Sequence, residues 1–225
     1  MQRVIRSLVL LLVIALGAAW AAAWFGRQPG EALGDAFLRH VAALTGRDAP
    51  PTTAAGLQLP TGVTLGGPFR MTNQDGRSVT QADFGGRLLV GYFGFTFCPD
   101  VCPTELGAIA NAMDLLSPSE AERAMPLFVT IDPERDTPAL IKSYVANFHP
   151  RMVGLTGTPE QVAEMARSFR VYYAKASRPE VSEYLMDHSS FIYLIGADGR
   201  VRSLLRAQSS PEDIAAAIRA SLPRV

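Results

Sequence analysis

The spacing of apolar and polar positions divides the chain into three stretches. From Ser7 to Phe25 (SLVLLLVIALGAAWAAAWF) no charged residue interrupts the apolar run. At 1.5 Å per residue a helix over it is about 28 Å long, close to the roughly 30 Å of a hydrocarbon core. Its Leu, Val, Ile and Phe residues contribute roughly −3 to −5 kcal/mol to insertion, so the stretch predicts a transmembrane anchor over 7–25. Between 26 and 60 the pattern dissolves. Gly30, Gly34, Gly46, Pro50, Pro51, Gly56 and Pro60 punctuate a tether with one candidate amphipathic helix, Glu31 to Thr45. As a flexible coil it reaches roughly 30 Å.

From 61 onward strand and helix periods alternate. Phe69 to Val79, with Gln74-Asp75-Gly76 at its middle, reads as a hairpin, and Arg87 to Phe95 (RLLVGYFGF) as a continuous buried strand. Pro103 to Leu116 has a helical period, Pro126 to Ile131 is a strand, and Thr137 or Asp136 can cap a helix from Pro138. Met152 to Leu155 is a short strand before a helix over Pro159 to Phe169. A hairpin (Phe191 to Ile195, Val201 to Leu205) and a helix from Pro211 to Leu222 close the chain. This order predicts an α/β domain over 61–225 with a thioredoxin-like fold, a central mixed sheet with helices on both faces.

Charge sets the orientation. Arg3 and Arg6 precede the apolar run, while Arg27 beyond it is soon balanced by Glu31 and Asp35. The positive-inside bias then keeps 1–6 in the cytoplasm and exports the rest, giving a single-pass protein of a bacterial inner membrane with its C-terminal domain in the periplasm. A cleaved signal peptide competes, since Ala19-Trp20-Ala21 and Ala21-Ala22-Ala23 fit a peptidase site. The run is longer than a signal core, and Trp24 and Phe25 continue it past both sites. With 21 Lys+Arg against 21 Asp+Glu there is no basic footprint for nucleic acid.

Two cysteines exclude a disulfide-rich scaffold and a four-thiolate zinc site but allow one redox pair or one metal site. Cys98 and Cys102 fall where the buried strand meets a helix, in Phe97-Cys98-Pro99-Asp100-Val101-Cys102-Pro103. Unpaired N–H groups and the positive dipole end at a helix start favour thiolate there. If regular helix ran through both cysteines, their Cβ atoms would lie about 5 to 6 Å apart, too far for a disulfide and suited to a shared metal. A loop at Cys98 permits either state. A structural bridge over so short a loop constrains the unfolded chain little, and inert core thiols do not suit a Pro-Asp turn at an element boundary.

A third ligand must come from three histidines. His40 lies in the tether, and His149, before Pro150, reads as a surface residue. His188 opens the strand running from Ser189 to Ile195, and in a thioredoxin-like sheet that loop faces the active-site turn. Thioredoxins place a proline there; here the nearest preceding one is Pro179, which leaves room for an imidazole. A satisfied histidine at a strand entrance is the competing reading. A thiol peroxidase reading is weak because Phe95 stands where a Thr-x-x-Cys arrangement needs threonine.

The segments FTFCPDVCP (Phe95 to Pro103), FVTIDPERDTP (Phe128 to Pro138), VGLTG (Val153 to Gly157), FRVYY (Phe169 to Tyr173) and Asp187-His188 ahead of FIYLIGADG closely resemble the Sco/SenC family over about residues 65 to 222. The resemblance implies a thioredoxin-like domain on one membrane helix, with copper held by Cys98, Cys102 and His188 for delivery to the dicopper CuA centre of cytochrome c oxidase. It implies exchange with the cysteines of that oxidase subunit too. The expected role is therefore a metallochaperone with accompanying thiol/disulfide oxidoreductase activity; an oxidoreductase with secondary copper binding is the alternative.

Two thiolates and an imidazole suit Cu(I), with Cu(II) as the other candidate state, whereas zinc wants a fourth ligand. The expected partners are the CuA-bearing subunit, an upstream copper donor and a thiol reductant. Asp187 is a candidate for orienting the imidazole or for docking. Met186 reads as packing. Asp132, Glu134, Arg135 and Asp136 match the family motif but are explained by a turn and a helix cap.

Overall fold

The computed structural model describes residues 62–177 and 184–222 continuously, together with Leu59 and positions 6, 7, 17, 18, 20, 21 and 24. Of the expected anchor over 7–25 only positions 7, 17, 18, 20, 21 and 24 are described, and of the tether over 26–60 only Leu59; the rest of both lies outside the described residues. Among the described residues no helix is long and apolar enough to cross a membrane. The chain divides into two compact units, Met1–Thr52 and Thr53–Val225, and the fold below is that of the second.

Its strands are β1 (Arg70–Asn73), β2 (Ser78–Thr80), β3 (Leu88–Gly94), β4 (Ala124–Thr130), β5 (Val153–Thr156), β6 (Tyr173–Ala176), β7 (Leu185–His188), β8 (Phe191–Ile195) and β9 (Val201–Arg206). Its helices are α1 (Val101–Asp114), α2 (Pro118–Glu122), α3 (Pro138–Val145), α4 (Pro159–Phe169) and α5 (Pro211–Ser221), with a 3-10 turn over Gln81–Phe84. Seven strands form one sheet in the order β2-β1-β5-β4-β3-β8-β9. The β3-β4-β5 centre is parallel, and β1 and β8 flank it antiparallel. This is the thioredoxin-like arrangement read from the alternating pattern.

The uninterrupted apolar run of β3 follows from its place. All its residues are buried, with β4 and β8 as neighbours and a helix over each face. Tyr92 and Phe128, paired across β3 and β4, face one side, where Phe128 packs on Tyr144 of α3 with ring centroids 5.3 Å apart. Phe93 faces the other side and packs on Phe169 of α4 at 5.5 Å. Pro126 is tolerated in a central strand because β5 begins to pair with β4 only at Leu127.

Helix starts follow one local rule. α2, α3, α4 and α5 each begin at a Ser/Thr-Pro step, with the hydroxyls of Ser117, Thr137, Thr158 and Ser210 accepting the free N–H three residues on. α1 is different. Asp100, its cap position, makes no side-chain cap bond, and a sulfur takes that place.

The structure revises several boundaries. α1 starts at Val101 rather than Pro103, so Cys102 lies in its first turn while Cys98 precedes it. His188 ends β7, and the strand expected from Ser189 begins at Phe191. β6 and β7 form a separate two-stranded ribbon that the pattern did not announce, because so short a ribbon has no continuous apolar face. Thr137 caps α3, which frees Asp136 for another task.

Candidate metal and thiol site

β3 delivers the chain to the turn Phe95 to Asp100, closed by the Cys98 N–H donating to the Phe95 carbonyl at 3.2 Å. Cys98 is half-buried and Cys102 fully buried, and both are free thiols. The Cys102 N–H donates to Cys98 Sγ at 3.4 Å. The uncapped α1 terminus thus presents its first N–H groups to a sulfur. From the ribbon, His188 brings Nε2 to 3.6 Å from Cys102 Sγ. Its Nδ1 lies 3.0 Å from the Ser189 carbonyl. A carbonyl only accepts, so Nδ1 carries a proton and Nε2 is the ring nitrogen turned to the sulfurs.

The two thiols are driven apart. A hydrogen bond from the Cys102 thiol holds Cys98 far below the ordinary thiol range, at about 4; contact with His188 and the N–H groups of Asp100 and Cys102 adds to this against partial burial. Cys102 is pushed up, first by serving as that donor, then by burial and by the charge on Cys98. The pair is one half-buried nucleophile backed by one buried, protonated thiol.

Three residues around the pair were not singled out in the sequence. Tyr92, fully buried, places its hydroxyl 2.9 Å from Ser190 Oγ and within hydrogen-bonding reach of Cys102. A tyrosine inside an apolar central strand must find a polar partner, and that was the available signal. Gly94 forms the floor: a Cβ there would meet Cys102 Sγ at 2.9 Å and Tyr92 Cε1 at 3.0 Å. Phe97, 51% exposed, stands beside Cys98 as a bare aromatic.

The motif Asp132 to Asp136 does more than turn the chain and cap a helix. Asp136 is buried and accepts from the Thr96 N–H at 3.1 Å and from the hydroxyls of Thr96 and Thr130. It fastens the cysteine turn to the end of β4, and burial raises its pKa. Arg135 pairs with buried Asp132 and donates from Nη1 to the Tyr184 carbonyl at 2.9 Å, while the Tyr184 hydroxyl donates to Asp132 at 2.8 Å. The guanidinium lies 3.7 Å from the Tyr184 ring centroid and 5.0 Å from that of Phe97. One arginine therefore ties the segment before His188 to the segment before Cys98. Glu134 reaches outward to Lys175 at 2.7 Å.

The structure brings Cys98, Cys102 and His188 together and leaves the other candidates aside. Met186 is buried packing, 7% exposed. Asp187 is exposed on the rim of a cleft of about 310 Å³ between the cysteine turn and β7. His149, expected at the surface, is buried, accepting at Nδ1 from the Arg151 N–H and lying 3.9 Å from Asp114. His40 lies outside the described residues. A larger cleft of about 480 Å³ between Phe69 and Phe169 holds neither thiol nor imidazole. Among the described residues no group of three or more His, Cys, Asp or Glu has its donors already arranged for a metal ion. The thiols and imidazole bond to one another instead, and a ligand role requires Cys102 to lose its proton.

Residues 58–223 match the family model described as SCO1/SenC. The chain belongs to the SCO1/SenC family. Among SCO1/SenC relatives, the human protein "SCO1 homolog, mitochondrial" is 44% identical over 155 residues, 68% of this chain and 52% of that protein. The chain thus spans about half the length of that curated relative. A solved structure of Bradyrhizobium japonicum ScoI with copper bound is 39% identical, covers 70% of this chain and 99% of that one, and superposes with a TM-score of 0.63. BsSco is described through a disulfide switch and as a member of the Sco family of cytochrome c oxidase assembly proteins. It is 26% identical over 73% of this chain and 96% of its own, with a TM-score of 0.54.

Proposed function

We propose that this chain is a membrane-anchored copper chaperone of cytochrome c oxidase assembly, which holds Cu(I) between Cys98, Cys102 and His188 and hands it to the CuA-bearing subunit on the exported side of a bacterial inner membrane. The observation that carries the reading is the meeting of two sulfurs and one imidazole at a single point, with Cys102 Sγ 3.6 Å from His188 Nε2 and Cys98 Sγ accepting from the Cys102 N–H at 3.4 Å. Family membership and the copper-bound state of the B. japonicum relative support the metal. The donor set agrees, because two soft thiolates and an imidazole suit Cu(I). Three ligands leave one side open, where an incoming thiolate can attach before the old ligands leave.

The chain's own residues divide the work. Cys98 meets the incoming ion as a thiolate, Cys102 releases its proton on loading, and the Ser189 carbonyl keeps the His188 tautomer that offers Nε2. The uncharged run over 7–25 supports the anchor. A copper donor upstream and a thiol reductant complete the expected partners.

Thiol/disulfide exchange is the second reading, favoured by the placement of Cys98 outside the helix with a lowered pKa. There the Cys98 thiolate attacks a partner disulfide and the partner's first sulfur leaves as thiolate. Cys102 then loses its proton and attacks Cys98, which closes the Cys98–Cys102 disulfide and frees the partner's second thiolate. The partner is reduced and this chain oxidised. The disulfide switch described for BsSco supports this activity.

The deciding experiment is copper stoichiometry of the reduced full chain beside Cys98→Ser, Cys102→Ser and His188→Ala. One Cu(I) per chain, greatly weakened by each substitution, is expected. Undiminished copper in the cysteine variants sinks the chaperone reading. Disulfide turnover that survives His188→Ala, without copper retention, favours the oxidoreductase.

A further inference from the structure

Among the described residues the ribbon that carries His188 has one bonded edge and one open edge, and the register says which backbone groups lie on the open one. β7 pairs with β6 through Tyr173↔His188, Ala174↔Asp187, Lys175↔Met186 and Ala176↔Leu185. Just beyond, the Ser189 N–H donates to the Tyr172 carbonyl at 3.0 Å. In an antiparallel pair, hydrogen-bonded and non-bonded positions alternate. Ser189, Asp187 and Leu185 therefore turn their N–H and C=O toward β6. Those of Met186 and His188 turn away from it, and no hydrogen bond from a described residue reaches them.

Tyr184 shows where the open edge looks. It has the same parity as Met186 and His188, and its outward carbonyl is taken by Arg135 Nη1 at 2.9 Å, the same guanidinium that stacks 5.0 Å from the Phe97 ring. The edge thus runs from Arg135 along the cleft of about 310 Å³ whose opposite wall is Phe95 and Cys98 to Val101. An open edge normally invites pairing with another chain. Here it lies across the cleft from the half-buried sulfur of Cys98 and beside an aromatic, Phe97, that is 51% exposed.

We propose that the open edge of β7 is a docking strand for an extended, cysteine-bearing segment of the partner protein, which pairs with the backbone of Met186 and His188 and so carries its sulfur to Cys98. A strand added there sets every second side chain on the face used by Met186 and His188, the face directed at the sulfurs. The backbone supplies the hold and one side-chain position supplies the thiol, so the segment needs extended conformation and a cysteine more than a particular sequence. A two-stranded ribbon is marginal by itself, and a third strand would complete it. The inference rests on Cys98 exchanging with a partner sulfur, yet its test reads backbone amides and needs no copper.

The probe is a short Thr/Val peptide with one central cysteine activated as its thionitrobenzoate disulfide. The Cys98 thiolate attacks the peptide sulfur, thionitrobenzoate leaves as thiolate, and the peptide is joined at Cys98. In the full chain carrying Cys102→Ser, hydrogen exchange at the Met186 and His188 amides should be fast before joining and at least about tenfold slower after it. The Asp187 and Ser189 amides, already bonded to β6, should not change. Unaltered exchange at Met186 and His188 would overturn the proposal.

Initial thionitrobenzoate release by the wild-type chain gives a second measurement. N-methylation of one alternate set of peptide amides should slow it about fivefold per lost bond, while methylation of the intervening set leaves it unchanged. Equal rates for both sets would overturn the docking strand whether or not the chain binds copper.

Discussion

Cys102 Sγ stands 3.6 Å from His188 Nε2 although 86 residues separate them in the chain. The contact joins the first turn of α1 to the last residue of the β6-β7 ribbon, and it leaves Cys98, the more accessible sulfur, as the only thiol held in its charged form. The expectations that follow come from this division of labour and from the packing beneath it.

Alkylation should proceed in a fixed order. Iodoacetamide at neutral pH should modify Cys98 first, because it is half-buried and its pKa is lowered, and Cys102 only on opening of the fold. Peptide mapping after brief labelling checks this; equal labelling of both sites would contradict the assigned proton.

Copper loading should be gated by redox state. A Cys98–Cys102 disulfide leaves only the imidazole, so the oxidised chain should take up no Cu(I) until reduced, and bound Cu(I) should protect both thiols from alkylation. Oxidising the apo chain, confirming loss of both thiols and then offering Cu(I) without a disulfide reductant is the measurement. Full uptake by the oxidised chain would refute the gate.

Gly94→Ala should damage the floor of the site. The added Cβ would meet Cys102 Sγ at 2.9 Å, Tyr92 Cε1 at 3.0 Å and Phe128 Cε2 at 3.2 Å, a form of overpacking that costs about 1–3 kcal/mol. A lower Tm with weaker copper binding is expected. A control on the same strand is Val90→Ala, which removes buried volume away from the sulfurs and should lower Tm with less effect on copper.

Arg135→Gln should destabilise the domain more than Tyr184→Phe. The first leaves Asp132, 2% exposed, without its cation, which for a buried pair costs about 3–5 kcal/mol. The second removes one hydrogen bond to Asp132, worth about 1–3 kcal/mol when the acceptor is charged. Denaturant titration gives both values, and the double variant should fall short of their sum because the two side chains share Asp132.

Glu105 links stability to acidity. It is 1% exposed on α1, with Oε1 accepting from the Gln208 N–H at 2.7 Å and Oε2 unpartnered, and burial raises its pKa. A carboxyl whose folded pKa is raised contributes most when protonated. Its contribution is complete below the unfolded value of about 4.3 and is lost as pH rises through the folded one. Relative to wild type, Glu105→Gln should therefore be more favourable at pH 7.5 than at pH 5, and Tm values of both chains at the two pH values test it.

Much of this protein could be read from local sequence because local chemistry decided it. The Ser/Thr-Pro steps start α2, α3, α4 and α5 through bonds spanning three residues, and the apolar run of β3 follows from burial on both faces. The motifs that resemble the family single out Cys98, Cys102 and His188, three residues that the fold brings together. One local signal was ambiguous and one misled: Thr137 and Asp136 were both candidates for the cap of α3, which Thr137 fills, and a lone histidine before proline, His149, looked like a surface residue but is buried.

Only the tertiary structure decided the rest, since the deciding contacts cross long stretches of chain. Asp136 fastens Thr96, 40 residues away, and Arg135 reaches the Tyr184 carbonyl, 49 residues away. No periodicity encodes such pairings, which depend on how β4, the cysteine turn and the ribbon are set side by side. The charge state of the site has the same origin: helix position alone favours thiolate at either cysteine. Burial of Cys102 over Tyr92 and Gly94, with Cys98 left at the rim, gives the charge to Cys98 and the proton to Cys102.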